Sequence, residues 1–502
     1  MSGAAAPLDE PAAAAPTSAA ARGPTLAALA GLAVFLCAVW VPALWLDEAT
    51  TIVLIRRSWS ELVSVGVNAD PALLPYYVLV KPLLDLTGEM WTVRLASVGA
   101  AALCVGGVLL FARRALGDSV AVTAAAVVVV LPVMSLYAQQ ARPHAIALAA
   151  VTLAMAAWWR AGPEDGGRLW WAAYAVALVA TALANVLALV VVLAPLAAAA
   201  ALPAARRRAV LRRSALVPVL VGAVLSPYAY LVLTRAKGVA SPPPVALDTV
   251  WGLVSHPLGG GVVGGLLLMV GVAAAGLLLR DSCTRVAGAL LTVWAFAPSL
   301  ALVALAIVGR PTLVPRYAVI ALPALAVLLA AGLVRLAALM VQGRGGERMR
   351  RIVPLVGVGV LVVVLLPQSL AYRAPDGHGE DIRPALTVLE AESAELAVVA
   401  NRVSLLTVQA YAPLLVSERM PQIDDPSPHA EIAPTHRLAA EVAPELAAAD
   451  SVLLLARRTP SSPVPIRDSL LPEGLRGRQC VPTVLAVSSG WISERIDCPP
   501  RT

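Results

Sequence analysis

The 502-residue chain is 59% hydrophobic and only 14% charged, with a mean hydropathy of +0.80, too apolar for a soluble protein. Repeated apolar runs of about 18–22 residues match the thickness of a hydrocarbon core, and they exclude a membrane barrel, whose strands would alternate over shorter stretches. The formal charge of +7 calls for no nucleic-acid partner, because its placement along the chain reports membrane topology.

Residues 1–23 are Ala/Pro-rich and weakly charged, and read as a disordered cytoplasmic leader. No cleavage site clearly follows the first apolar run, so that run reads as a retained helix rather than a signal peptide. Hydropathy then predicts spans near 24–46, 90–112, 119–137, 143–160, 168–184, 186–202, 215–233, 260–279, 286–308, 317–336 and 352–371. The stretch 168–202 is either one long tilted helix or two short ones hinged near Asn185.

Charge arbitrates. With the N-terminus inside and about eleven spans, the inner connections hold Arg113 and Arg114, Arg160 and Arg168, the cluster Arg206, Arg207, Arg208, Arg212 and Arg213, then Arg280, Arg285 and the run from Arg335 to Arg351. Ten spans would put the 203–214 cluster outside. The expectation is therefore N-in and C-out, with a long first outer loop over 47–89. Within that loop, 58–67 and 73–86 read as amphipathic helices lying in the interface.

From 372 to 502 the chain turns polar and Pro-rich. Residues 381–392 read as an amphipathic helix, and 396–400, 451–456 and 484–489 as short buried strands. The expectation is a small extracytoplasmic α/β domain. Cys480 and Cys498 share this segment; outside the cytosol a disulfide between them is expected, with two free thiols as the alternative.

The polar residues that topology does not explain gather on the outer face. Asp47 and Glu48 follow the first run. Asp70, Tyr76, Tyr77 and Lys81 lie in the first outer loop. "YAQQARPH" (137–144) is the turn after the third span, and "GRPTLVPRY" (309–317) precedes the tenth. Ionisable groups at membrane depth are costly and usually functional. Carboxylates beside arginines at an interface suit a substrate that carries a phosphate and a hydroxyl to be activated. Arginine offers a planar fork to phosphate oxygens, and one placed carboxylate can take the hydroxyl proton.

"LWLDEA", "D…LPYYVLV", "YAQQARPHAIAL" and "LVPRYAVIALPAL", in this order over about residues 24–371, resemble the GT-C membrane glycosyltransferases. The nearest branch is the protein O-mannosyltransferase and aminoarabinose-transferase group, with its actinobacterial mannosyltransferase-like members. Its patterns read WxDEA, DxVHxLYY or HPPLYY, QEARxYAL and PRY. The resemblance implies a GT-C-like α-helical polytopic fold. It also implies inverting transfer of a sugar, mannose by analogy, from a polyprenyl-phosphate donor to an extracytoplasmic lipid, glycan or protein acceptor.

By the same resemblance Asp47 is the base and Glu48 its neighbour, Asp70 lines the acceptor or metal side, and Arg142 and Arg316 meet the donor phosphate. Tyr77, Lys81, Gln140, His144 and Tyr317 complete the candidate substrate-binding set. The chain departs from the patterns at Gln140 (usually Glu), His144 (usually Tyr), Leu73 and Lys81 (usually His). Metal-independent chemistry with no cofactor is the preferred reading. If a hard divalent cation bound, Asp47, Glu48 and Asp70 would be its oxygen ligands. Two other classes compete: a lipid or glycan transporter or flippase, which calls for substrate groups near the midplane, and a non-catalytic scaffold of envelope assembly.

Overall fold

The structure, a computed structural model of the chain, describes residues 18–235, 245–310, 312–340, 346–392, 396–399, 402–413, 444, 448–457 and 480–498. Residues 1–17 of the expected leader lie outside this set.

In chain order the helices are α1 (Ser18–Leu36), α2 (Leu46–Ile55), α3 (Trp59–Asn68), α4 (Leu74–Thr87), α5 (Leu95–Leu116), α6 (Asp118–Val130), α7 (Pro132–Ala138) and α8 (His144–Ala161). They continue with α9 (Arg168–Ala184), α10 (Leu193–Ala200), α11 (Ala204–Val224), α12 (Ser226–Arg235), α13 (Leu247–Ser255), α14 (Gly261–Arg280), α15 (Arg285–Ile307), α16 (Pro315–Ala318), α17 (Leu322–Met340), α18 (Gly346–Ala371), α19 (Arg383–Ala391) and α20 (Arg402–Tyr411).

Among the described residues six helical stretches are long and apolar enough to cross a bilayer: Met90–Leu116, His144–Ala161, Gly261–Arg280, Arg285–Ile307, Pro315–Met340 and Ile352–Ala371. Two bent pairs, α6 with α7 at 64° and α11 with α12 at 63°, make eight if each is one span. Three shorter apolar helices, Gly23–Leu36, Arg168–Ala184 and Val186–Ala200, occupy the remaining predicted positions. The protein is thus a polytopic helical membrane protein, and the stretch 168–202 is two helical pieces that part at Asn185.

Two expectations need correction. The first helix stops at Leu36, well short of 46. Beyond it Ala38 turns to φ 60, Pro42 has no amide proton to give, and Trp45 is extended (φ −85, ψ 170). The acids therefore do not end the first helix: Asp47 and Glu48 open α2, in its first turn, where the positive end of the helix dipole favours them. The 206–213 arginines are not in an open loop either; they form the first turns of α11.

Small residues set the helix packing. α5 packs on α1, α6 and α8. A Cβ on Gly106 would lie 3.1 Å from the Pro24 carbonyl oxygen, and one on Gly107 would lie 2.9 Å from Thr152 Cγ2. Only glycine allows these approaches, and close approach is what binds helices in lipid.

After α18 the chain leaves the bundle. Strands β1 (Leu396–Val399), β2 (Ser451–Arg457), β3 (Val481–Ser488) and β4 (Trp491–Asp497) form one sheet in the order β1-β2-β4-β3. β1 and β2 are parallel and the other pairs antiparallel. Cys480 and Cys498 form a disulfide beside the Val481–Asp497 pair. α20 packs against α2, and Leu406 and Ala410 share a buried cluster with Leu44, Ile52, Leu62 and Tyr77. The C-terminal segment therefore rests on α2, whose first turn holds Asp47.

Candidate active site at the first loop

Asp47 sits where three separated stretches meet. Its Oδ2 lies 3.4 Å from Arg142 Nη2 and 3.5 Å from Arg316 Nη1. That oxygen is buried, yet neither contact is a hydrogen bond. The Asp47 carbonyl accepts from Arg142 Nη1 at 3.4 Å. Arg142 lies in the turn between α7 and α8, held by the Ser97 hydroxyl, which donates to its carbonyl at 3.0 Å. Arg316 opens α16 and lies over the Trp45 and Tyr317 rings, 5.8 and 5.6 Å from their centroids, within cation–π range.

Glu48 faces the other way. It is fully buried and takes four donors. Arg94 Nε and the Ala141 amide reach Oε1 at 2.9 and 2.7 Å, and Arg94 Nη2 and His378 Nδ1 reach Oε2 at 2.9 Å each. Burial pushes this carboxyl upward, but Arg94 and His378 outweigh it and hold the pKa at about 2. Because the ionised carboxylate only accepts, the His378 proton is on Nδ1. Among the described residues no group of three or more His, Cys, Asp or Glu side chains converges as a cation site.

Asp70 accepts a 2.7 Å hydrogen bond from Tyr77. Burial raises its carboxyl above the ordinary value against the pull of Tyr77 and Arg142, with Asp47 adding a small repulsion. Asp70 and Asp47 thus both feel the Arg142 charge. Lys81 does not join them. It donates to the Ile55 carbonyl at 2.8 Å, pairs with Asp85 at 3.0 Å and lies over Trp59. Gln140 and His144 are buried, and Gln140 Oε1 and His144 Nε2 have no hydrogen-bond partner among the described residues. The His144 ring meets Tyr137 edge-on at 5.0 Å, and the Tyr137 hydroxyl is 2.9 Å from His256 Nε2. Tyr317 lines an apolar cavity of about 220 Å³ together with Leu187, Val190, Pro298, Leu302 and Ile320.

Sequence reasoning missed Arg94, His378, Tyr137 and His256. Arg94 carried a usable signal: it is an arginine at the head of an apolar run, at the end where the expected topology is poor in arginine. His378 sits in a polar stretch and carried none.

No family model matches the chain, and no curated protein does. Solved structures do. The chain is similar to ArnT from Cupriavidus metallidurans in the apo state, with 17% identity and a TM-score of 0.58, covering 95% of this chain and 98% of that one. It is similar to the same protein bound to undecaprenyl phosphate, with 15% identity and a TM-score of 0.60, covering 94% and 97%. Spans, first loop and C-terminal segment together therefore share one fold with ArnT over nearly the full length of both chains.

Proposed function

We propose that the chain is an inverting membrane glycosyltransferase that moves a sugar from a polyprenyl-phosphate donor to an acceptor hydroxyl. The observation that carries this reading is the Asp47 carboxylate lying between Arg142 and Arg316, each brought from a distant part of the chain. The fold shared with ArnT, which has been solved bound to undecaprenyl phosphate, supports a lipid-phosphate donor.

The contacts from Asp47 to its arginines are long, and no hydrogen bond spends the guanidinium protons on Oδ2. A phosphate would take those protons at charge-assisted distances near 2.8 Å. The donor phosphate then sits on Arg142 and Arg316, and Asp47 is released toward the acceptor. The acceptor oxygen attacks the anomeric carbon as its proton passes to Asp47. The bond from that carbon to the phosphate oxygen breaks, and the lipid phosphate leaves as an anion with the electron pair. A leaving anion needs charge stabilisation rather than a proton, so one carboxylate suffices. The base supplies about 10²–10⁴-fold and in-line placement more.

In this reading Asp70 and Tyr77 border the acceptor, Gln140 and His144 offer unpaired polar atoms to the sugar, and the cavity beside Tyr317 receives the first isoprene units. The positive-inside pattern supports an extracytoplasmic side for this face and the C-terminal domain, and the Cys480–Cys498 disulfide fits an oxidising compartment. Lys81 serves the loop and not the substrate. Glu48 could join Asp47 around a cation only by leaving Arg94, which favours metal-independent chemistry.

The test uses membranes containing the parent or Asp47→Asn, a panel of radiolabelled polyprenyl-phosphate sugars beginning with mannose, and a cell-envelope extract as acceptor. The parent should transfer label from one donor, and the variant should lose at least about 10²-fold. Transfer that survives undiminished in Asp47→Asn refutes the assignment of the base. Label that only crosses the membrane, unattached, points to a flippase.

A further inference from the structure

The stretch that delivers Asp47, residues 41–45, belongs to no helix or strand, so its backbone groups need partners from elsewhere. Arg94 takes the Pro42 and Ala43 carbonyls, and four more partners come from beyond the last span. The Ala43 amide donates to the Pro375 carbonyl at 2.7 Å, and the Leu44 amide to the Tyr411 hydroxyl at 2.6 Å. The Leu46 amide donates to Glu380 Oε1 at 3.3 Å, and the Val41 carbonyl accepts from Arg383 Nη1 at 3.1 Å. The side chain that reaches deepest from this strap is His378. It is fully buried, with Nδ1 2.9 Å from Glu48 Oε2.

We propose that His378 is a positioning residue for sugar transfer, fixing the Glu48 carboxylate so that the Asp47 turn and the Arg142 turn stay in register. The inference rests on the reading of Asp47 as the base. Glu48 is the joint between the two turns: its own helix carries Asp47, and its Oε1 takes the amide of Ala141, the residue before Arg142. Oε2 has two donors, Arg94 and His378. Removing the imidazole leaves Oε2 with Arg94 alone, and the carboxylate can then pivot together with the Arg94 fork. Rotation would pull the Ala141 bond and shift Arg142 relative to Asp47. A displacement of about 1 Å at a reacting centre costs about 10²-fold in rate. The strap also links the C-terminal sheet to the base, since the Asp381 amide donates to Ser489 and the Ser488 hydroxyl to the Asp381 carbonyl.

The experiment compares the full-length parent, His378→Leu and His378→Asn in detergent; the asparagine amide can place a donor where Nδ1–H lies. Hydrogen exchange is read at residues 46–51 and, as a control, within α8. Transfer is read as kcat and KM with the panel donor that the parent uses, and binding with undecaprenyl phosphate alone. His378→Leu should raise exchange at 46–51 by about tenfold without changing α8. It should lower kcat by about 10–100-fold with KM and undecaprenyl-phosphate affinity within about threefold, and His378→Asn should restore both readouts. If His378→Leu does not fold, His378→Gln, which carries its amide at the Nε2 position, takes its place with the same expectation. Parent-like exchange and kcat in the leucine or glutamine variant overturn the proposal, and so does an asparagine variant as impaired as leucine. If the parent is active, Asp47→Asn is inactive and the His378 variants are unaffected, the clamp alone fails. If exchange responds as expected but no donor is turned over by the parent, the clamp stands and the transferase reading fails.

Discussion

Glu48 and Arg94 meet through two parallel bonds, Nε to Oε1 and Nη2 to Oε2, both 2.9 Å, and neither side chain is more than 1% exposed. The remaining Arg94 protons go to the carbonyls of Val39, Pro42 and Ala43 at 2.8, 2.9 and 3.2 Å. One guanidinium therefore ties the head of the second span to the unwound chain after α1. A buried pair gives little net stability over an apolar pair, but removing one partner strands the other. Arg94→Leu should cost about 3–5 kcal/mol, and Arg94→Lys, which keeps the charge and loses the fork, should recover only part of it. Denaturant unfolding in detergent measures both. Equal stability of the three proteins would mean that the pair holds nothing.

The same pair sets an acid limit. The Glu48 pKa falls from an ordinary 4.5 to about 2 in the fold. A carboxyl with a depressed folded value contributes stability above its unfolded pKa and loses it as the pH falls through the folded one. The contribution, roughly 3 kcal/mol, is complete above about pH 4.5 and fades between there and about 2. The gap in melting temperature between the parent and Glu48→Gln should therefore narrow as the pH falls below about 4.5. A gap that stays constant down to pH 3 would mean that Glu48 is not held as an ion.

The spans were legible because a hydrocarbon core demands length and apolarity, which are local properties. The amphipathic helices at 58–67 and 73–86 appear as α3 and α4 for the same reason, with Ser58 and Glu61 closing a capping box on α3. The break at Leu36 was hidden because "CAVWVPALW" is as apolar as a helix; what unwinds it is Arg94 and the strap, which are tertiary. Strand β4, "WISERID", escaped because Ser493 and Glu494 are buried there and hydropathy reads them as loop. Asp47, Arg142 and Arg316 were legible as ions at the ends of apolar runs. The partners of Glu48 were not, because nothing in a single sequence says which of two adjacent acids turns inward.

The two arginines on Asp47 should separate binding from chemistry. Arg142 is nearly buried, with 11% of its side chain exposed, and Arg316 is more open at 25%. Arg316→Lys keeps a charge at the open edge and should raise the donor KM by about 3–10-fold with kcat little changed. Arg142→Lys loses the fork beside the reacting bond and should lower kcat as well, by about 10–100-fold, as hydrogen bonds to charged groups carry about 1.5–3 kcal/mol. Steady-state kinetics with varied donor decide the point. Equal effects of the two changes on kcat would put both arginines at the reaction centre.

The cavity beside Tyr317 makes a separate claim about the lipid. It is lined by Leu302, Val190 and Tyr317, the residue after Arg316, so a phosphate held by that arginine would lay its first isoprene units among these side chains. Filling it should cost affinity only to donors long enough to enter. Leu302→Trp is expected to raise KM about tenfold for a long polyprenyl-phosphate sugar, the loss of about 1.4 kcal/mol of apolar contact. A donor shortened to a single isoprene unit should bind the parent and the variant alike. A variant that weakens both donors equally has disturbed Arg316 instead, and one that weakens neither places the lipid elsewhere on the protein.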